Sequence, residues 1–452
     1  MAIKFAIFLL TTKLVNDIIN SMKIANRYKN INLNNGAVLR YSKNKLNKIT
    51  SIEILFNCGA YKDTIPGLAH FVEHMFFTGT RTMSKQEVSK KYFDYIGSNA
   101  HTTSKNISFT GKIFTKELQS YLSTVATLIT ESTFTQDAVE KEKKVVCQEI
   151  ARNEDRFGVK AGYFNDYNLT GLDCHKNTIL GSEESVNSIK SKDVKQFVKD
   201  YFVTENLEVY ITSPKSLRKV KKMVEKELVS KLPSNSQFVK MPLFLPTKKY
   251  EFFYKVETKD IDKCYIFINF KSNLTYFDIE KRQKLNLMLD MVNETSEGVM
   301  KELRLEKSLI YGGGFYVTYN DNRSILGFET ECNKKNINEV ITTVQEYISK
   351  ILKNGFDEEL YNKVKRYSDY SEDSAEPKVG NKMNRLTQFK YFGKILEPKQ
   401  LKKIRQETTL EECNNLFKEI FQKPELSVSI YGDITKKELL TEKELKKVYG
   451  IK

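Results

Sequence analysis

Hydrophobic positions along the chain switch repeatedly between a period of two and a period near 3.6. "NLNNGAVLRYSK" alternates about Asn35-Gly36 and predicts two short strands joined by a turn. "KITSIEILFNCG" follows as a strand rich in β-branched residues. An apolar helix is predicted over 67–77, beginning just after Pro66, and a second helix over 84–96, ending at Gly97. "SNAHTTSKNISFTGKIF" reads as strands, and "ELQSYLSTVATLITES" and "DAVEKEKKVVCQEIARNED" both have helical period.

The second half repeats this order. "DKCYIFINFKS" takes the place of "ITSIEILFNCG", and "FDIEKRQKLNLMLDMVNE" takes the place of the helix at 67. "YGGGFYVTYN" and "SILGFETEC" form a strand pair. The helical stretch after them matches its counterpart down to a phenylalanine before the last helix, Phe134 in one half and Phe356 in the other. The pattern predicts an α+β protein of two homologous, duplicated domains, each an antiparallel-rich sheet packed with helices. The expected boundaries are an N-terminal extension over 1–26, a first domain over 27–233, a linker over 234–248 and a second domain over 249–452. The first 26 residues hold a short apolar patch, Phe5 to Leu10. That patch is brief for a signal peptide, and the segment is poor in arginine for a transit peptide; it reads as an extension or amphipathic helix.

Composition is that of a globular protein, with 40% hydrophobic, 12% aromatic and 29% charged residues over 452 positions. The net charge of +16 invites a nucleic-acid reading, but the lysines are mixed with glutamates, as in "RKVKKMVEKEL" and "QLKKIRQETTLEE". These are solvated helix faces, and no basic-and-aromatic recognition pattern stands out, so no nucleic-acid partner is expected. No apolar run approaches the ~20 residues that span a bilayer, so no stable membrane insertion is expected. The six cysteines are scattered and form no CxxC, which argues for a reducing compartment: the cytoplasm, or the mitochondrial matrix in a eukaryote.

The chemistry concentrates in "PGLAHFVEHMFFTGT". It holds two of the four histidines, His70 and His74, with Glu73 directly before the second. Residues four apart share a helix face, so both imidazoles can point at one ion. Zinc accepts neutral imidazole nitrogen and lowers the pKa of a coordinated water, whose proton a neighbouring carboxylate can take. This is HxxEH, the inverse of HExxH. A third ligand is required, and Glu149 is the candidate; Glu142, two turns earlier on the same helix face, is placed to orient a histidine. The plainer reading, a core helix whose histidines merely satisfy local hydrogen bonds, leaves three polar groups buried without a role. No histidine follows His175, so the second half carries no equivalent site.

At these residues the sequence resembles the M16 (pitrilysin, or insulinase-like) family of zinc metallopeptidases. The resemblance includes Gly67, His70, Glu73, His74, Gly79 and Thr80, the spacing to Glu142 and Glu149, "GSNAHTTSKNISFTG", and "ILGSEESVNSIKSKDVKQFVKDYF". In the second half "LRLEKSLIYGGG" places Arg304 and Tyr311 seven apart, like the family's C-terminal motif. Ser98 and Phe109 depart from the residues common among relatives. The resemblance implies a LuxS/MPP-like metallohydrolase architecture, similar to the short processing-peptidase subunits and bacterial homologues that pair to enclose a chamber.

It further implies one zinc per chain on His70, His74 and Glu149, with Glu73 as general base and Glu142 in support. Asn99, Ala100 and Thr102 would pair with an extended substrate, and Arg304 and Tyr311 would contact it. The function so implied is zinc-dependent endoproteolysis of peptides or unfolded segments, by a homodimer or by a heterodimer with a related subunit. The basic net charge speaks against a chamber that reads arginine-rich presequences. The alternative is a non-catalytic scaffolding or partner subunit of the same fold.

Overall fold

The computed structural model describes residues 28–44, 48–154, 156–172, 178–240, 252–261, 263–275, 278–320, 323–373, 383, 386 and 398–451. The expected extension over 1–26, part of the linker over 234–248, and His175 lie outside them. The chain forms two compact units. The first takes the described residues up to Arg152, those from Thr178 to Lys240, and Met383 and Leu386; the second takes Asn153 to Leu172, Phe252 to Asp373, and Pro398 onward.

The first unit has a six-stranded sheet of β1 (Tyr28–Asn32), β2 (Val38–Lys43), β3 (Ile49–Phe56), β4 (Asn99–Thr102), β5 (Ile107–Phe114) and β6 (Leu207–Ser213). Their order across the sheet is β1-β2-β6-β3-β5-β4, with β2 and β6 parallel and the other neighbours antiparallel. The helices in chain order are α1 (Leu68–Met75), α2 (Lys85–Phe93), α3 (Leu118–Glu131), α4 (Gln136–Glu154), α5 (Phe157–Thr170), α6 (Glu183–Ser188), α7 (Ser191–Tyr201) and α8 (Leu217–Glu227). All but α5 belong to the first unit, apart from the last two residues of α4.

The second unit has β7 (Phe252–Thr258), β8 (Cys264–Ser272), β9 (Ile310–Asn320), β10 (Arg323–Cys332) and β11 (Leu426–Gly432), in the order β7-β11-β8-β10-β9. Its helices are α9 (Ile279–Val292), α10 (Ile337–Asn354), α11 (Glu358–Asp373), α12 (Pro398–Glu407), α13 (Leu410–Phe421) and α14 (Glu442–Val448). Setting β7 to β11 against β2 to β6 gives the same strand order and the same parallel and antiparallel neighbours. The duplication read from the sequence is therefore a duplication of topology, with β1 as the addition in the first unit.

The units are not contiguous in sequence, whereas the boundaries at 27–233 and 249–452 treat each as one run. Helix α5 follows the first unit's last long helix but packs on the second unit's sheet. Asn165 accepts a hydrogen bond from Asn269 at 2.9 Å, Asn168 donates to Ser429 at 3.1 Å, and Phe164 stacks near Tyr431 at 5.8 Å. The weak amphipathic pattern of "FGVKAGYFNDYNLT" follows from this: its buried positions mix apolar Ala161 and Leu169 with polar Asn165 and Thr170, so periodicity did not reveal what it covers.

The first unit's core lies between its sheet and helices, and α1 runs through it. All of α1 but His74 is buried. Its C-terminal end is set by Phe76, whose ring meets Phe109, Phe134 and Phe202 at 4.8–5.7 Å. Its N-terminal end is set by Asp63, whose carboxylate accepts from the backbone N–H groups of Gly67 (2.9 Å) and Ala69 (2.7 Å). Burial lifts the Asp63 carboxyl to about 7 even though these backbone bonds pull it down.

Gly67 begins the helix in the left-handed region at φ +88, and a Cβ there would lie 2.4 Å from the Leu180 carbonyl oxygen. Reciprocally, a Cβ on Gly181 would lie 2.4 Å from the Pro66 oxygen, which accepts from Ser185 Oγ at 2.8 Å. The segment at 180–185 thus clamps the start of α1, and only two facing glycines allow the approach. Gly67→Ala is expected to lose about 2–4 kcal/mol of stability, from the left-handed backbone together with overpacking. Urea denaturation of the purified variant measures it; a midpoint equal to that of the wild type would contradict the clamp.

Candidate metal centre

Helix α1 presents His70 and His74 one turn apart, with ring centroids 4.6 Å from each other. Helix α4 brings Glu149 to them: its Oε2 lies 3.4 Å from His74 Nε2 and 3.8 Å from His70 Nε2. One donor atom from each of the three falls within 4.8 Å of the others. Two ligands on a tetrahedral zinc, each ~2.0–2.2 Å from the ion, sit ~3.3–3.6 Å apart. The donor set, two imidazole nitrogens and one carboxylate oxygen, fits zinc in its chemistry, and the two nitrogen-to-oxygen separations lie near that value.

The placement of α4 depends on the turn before it. Phe134 takes φ +46, a strained conformation for a bulky side chain, and its buried ring against Phe76 holds it there. In the second unit the left-handed residue is Gly355, one position before Phe356.

Around the three donors stands a layer of hydrogen bonds. His74 Nδ1 lies 3.0 Å from Glu142 Oε1, which leaves Nε2 facing Glu149. The other oxygen of Glu142 accepts from Lys85 Nζ at 2.6 Å. His70 differs: its Nδ1 is buried without a hydrogen-bond partner among the described residues. Only one of the two imidazoles is therefore oriented by a carboxylate.

These contacts polarise the pair. Burial, reinforced by neighbouring His74, pushes His70 down to about 4. Burial disfavours a charge on His74 as well, but the hydrogen bonds to Glu142 and Glu149 outweigh it and lift that imidazole to about 9. Burial works against ionised Glu142 too, yet His74 and Lys85 hold its carboxyl below the usual value. The hydrogen bond with His74 does the same for Glu149.

Glu73 projects beside this cluster. Thr102 Oγ1 on β4 donates to its Oε2 at 2.5 Å. Burial raises the Glu73 carboxyl above its ordinary value, against the pull of that hydrogen bond and of His74.

Strand β4 is the edge of its sheet, paired with β5 from Asn99↔Thr110 to Thr102↔Ile107. Asn99 and His101 are exposed, whereas Ala100 and Thr102 are half-buried. The Asn99 carbonyl accepts from Tyr92 Oη at 2.8 Å, and His101 lies against Ser108. In the second unit, Arg304 sits in a π-helical turn (Lys301–Glu306) with its guanidinium 5.0 Å from the ring centre of Tyr311, which is 86% exposed. The spacing of seven thus brings these two into contact with each other.

The structure brings His70, Glu73, His74, Glu142 and Glu149, all singled out in the sequence, together as neighbours. Sequence reasoning placed Thr102 with the substrate-pairing residues, while the structure puts the Thr102 hydroxyl on Glu73. It missed Lys85, Asp63 and Tyr92. The "SKQE" capping box, in which Ser84 and Glu87 bond reciprocally, signals the helix start that carries Lys85, but not its reach to Glu142.

Residues 39–161 match the family model described as Insulinase (Peptidase family M16), and residues 188–367 match the model described as Peptidase M16 inactive domain. The uncharacterized zinc protease YmxG of Bacillus subtilis is 25% identical over 334 residues, covering 71% of this chain and 78% of that protein. The probable mitochondrial-processing peptidase subunit beta of Schizosaccharomyces pombe is 24% identical over 211 residues, 45% of this chain and 46% of that one. Among solved structures, the peptidase M16 inactive domain from Pseudomonas fluorescens aligns with a TM-score of 0.77 at 14% identity, covering 90% of this chain and 98% of that one. At such identity the likeness speaks for the fold.

The raised His74 gives a proton-linked expectation. With its metal-free value at about 9, the imidazole carries a second proton at pH 7, and a ligand nitrogen must give that proton up. Zinc uptake at pH 7 is expected to release about one proton from His74, with affinity rising roughly tenfold per pH unit until it levels near 9. Titration calorimetry in buffers of different ionisation enthalpy counts the protons; uptake at pH 7 with none released contradicts the arrangement.

Proposed function

Because the chain is an M16-like protein, matched by models of both halves of that peptidase family, we propose that it is a zinc-dependent endopeptidase acting on peptides or unfolded, extended segments of protein. The observation that carries the reading is the meeting of His70, His74 and Glu149 beside a fourth ionisable group, Glu73, that stands outside the donor set. A structural site closes its ligand set with four protein donors, whereas three donors and a free carboxylate are the parts of a hydrolytic one. The family model whose description says "inactive" spans 188–367 and leaves out all four of these residues.

In the proposed mechanism His70, His74 and Glu149 hold the ion, which when bound supplies Lewis acidity toward the scissile carbonyl and toward water. Glu142 fixes the ring and tautomer of His74, and Lys85 fixes Glu142. Glu73 takes the proton of the attacking water at its carboxylate and passes it to the departing amide nitrogen. The outer edge of β4 at Asn99 and Ala100 binds the substrate by main-chain pairing, so an extended segment of almost any sequence is acceptable. Arg304 and Tyr311, by the family resemblance, donate to the substrate carbonyl oxygen as it gains charge.

The same resemblance supports pairing with a second copy or a related subunit. Among the described residues no helix is long and apolar enough to cross a membrane.

Glu73→Gln is expected to lower kcat on a quenched fluorescent peptide by about 10²–10⁴-fold while zinc stays near one per chain. Unchanged turnover overturns the role of Glu73, and a metal-free protein indifferent to chelators favours the scaffolding alternative. Arg304→Ala is expected to reduce kcat/KM with the zinc content unchanged, measured on the same substrate with metal analysis alongside; loss of metal instead would rule out a substrate-facing role.

A further inference from the structure

We infer that Thr102 is a positioning residue for Glu73, through which the edge strand that receives the substrate also sets the carboxylate that works on it. The inference rests on the reading of Glu73 as the base. Along β4 the side chains alternate, so Asn99 and His101 point to one side and Ala100 and Thr102 to the other, toward α1. The Thr102 side chain is thus perpendicular to the edge along which a peptide pairs. Its hydroxyl has one proton, and that proton goes to Glu73 Oε2.

Among the described residues this is the hydrogen bond that the Glu73 carboxylate makes. One carboxylate oxygen is tied and the other is left to accept a proton. Glu73 is only 9% exposed, so water does little to orient its carboxylate. Without the hydroxyl, the carboxylate turns about its last bond with no fixed partner.

The strand that holds this hydroxyl is itself lightly held. It has four residues and pairs with β5 on one side, with Tyr92 Oη on the Asn99 carbonyl as an added tie. A peptide that adds to the open side supplies main-chain hydrogen bonds there and steadies the strand. Substrate occupancy and base alignment are therefore coupled through a single side chain. The coupling places the effect of Thr102 on the chemical step, whereas a substrate-contacting Thr102 would act on binding.

Thr102→Val keeps the shape and strand preference of the side chain and removes the hydroxyl. On an extended fluorogenic peptide it is expected to lower kcat roughly 10- to 100-fold, the worth of a hydrogen bond to a charged group, with KM and zinc content unchanged. Thr102→Ser, which restores the hydroxyl, is expected to recover most of the rate. In the metal-free protein, urea unfolding of Thr102→Val, Glu73→Ala and the double variant is expected to be non-additive, because both changes break the same bond. A rise in KM at constant kcat, a wild-type kcat in Thr102→Val, failure of Thr102→Ser to recover the rate, or additive unfolding overturns the inference. Glu73→Gln run in parallel separates the two readings: if it is inactive while Thr102→Val is normal, the inference alone fails, and if it is active, the base reading fails and the inference with it.

Discussion

One constraint organises the first unit: α1 is buried along nearly its whole surface, yet three of its eight residues are ionisable. Buried polar groups without partners cost about 1–3 kcal/mol each, so the elements packed on α1 must supply partners as well as apolar contact. They come from separate parts of the chain. Strand β4 gives Thr102 to Glu73, α4 gives Glu142 and Glu149 to the histidines, and α2 gives Lys85 to Glu142. The helix ends are fixed independently, by Asp63 and the facing glycines at one end and by the phenylalanine cluster at the other. A shift of α1 along its axis would break its polar bonds to β4 and α4 at once, while Lys85 of α2 holds Glu142 from behind, and these ties keep a short helix rigid.

The second unit repeats the frame without the chemistry. Helix α9 takes the position of α1, and its buried face is mostly apolar: Leu285, Leu287, Met288, Met291 and Val292. What the second unit does retain is the equivalent edge. Strand β9 occupies the place of β4 at the margin of its sheet, and Tyr311 stands near its start under the Arg304 guanidinium. Each half thus keeps its polar, exposed side chains beside an edge strand. An edge has unused main-chain donors and acceptors, and duplication copies that property whatever happens to the side chains.

Much of this was legible in the sequence because it was written in local patterns. Period-two runs marked β3, β8 and β10, the glycine after Asn35 marked the first turn, and the four-residue spacing of His70 and His74 marked a common face. The pairing of α1 with α4 came from spacing within a resemblance, since nothing local says that Glu149 returns to His74. Bonds between distant, ordinary residues were not legible. Lys85 looks like one more surface lysine and Thr102 like one more strand threonine until the fold brings them to Glu142 and Glu73. Helix α5 was misleading for the opposite reason. Sequence order attaches it to the first unit, but its asparagines satisfy polar groups on the second unit's sheet, and a buried face that mixes polar with apolar residues gives only a weak hydrophobic period.

Charge balance explains why the layer beyond the ligands takes the form it does. The three carboxylates Glu73, Glu142 and Glu149 face the Lys85 ammonium and a protonated His74, which leaves one negative charge among these five groups, with Arg152 acting on Glu149 from beyond them. Exchanging the His74 proton for a dication brings the cluster to neutrality. Without Lys85, either state would carry one more negative charge, and buried Glu142 would have only His74 to offset it. On the proposed reading, neutrality with the ion present and a deficit without it favours occupancy, and it does so without a fourth protein donor. Lys85 contributes this from a half-exposed position, where its own desolvation costs little.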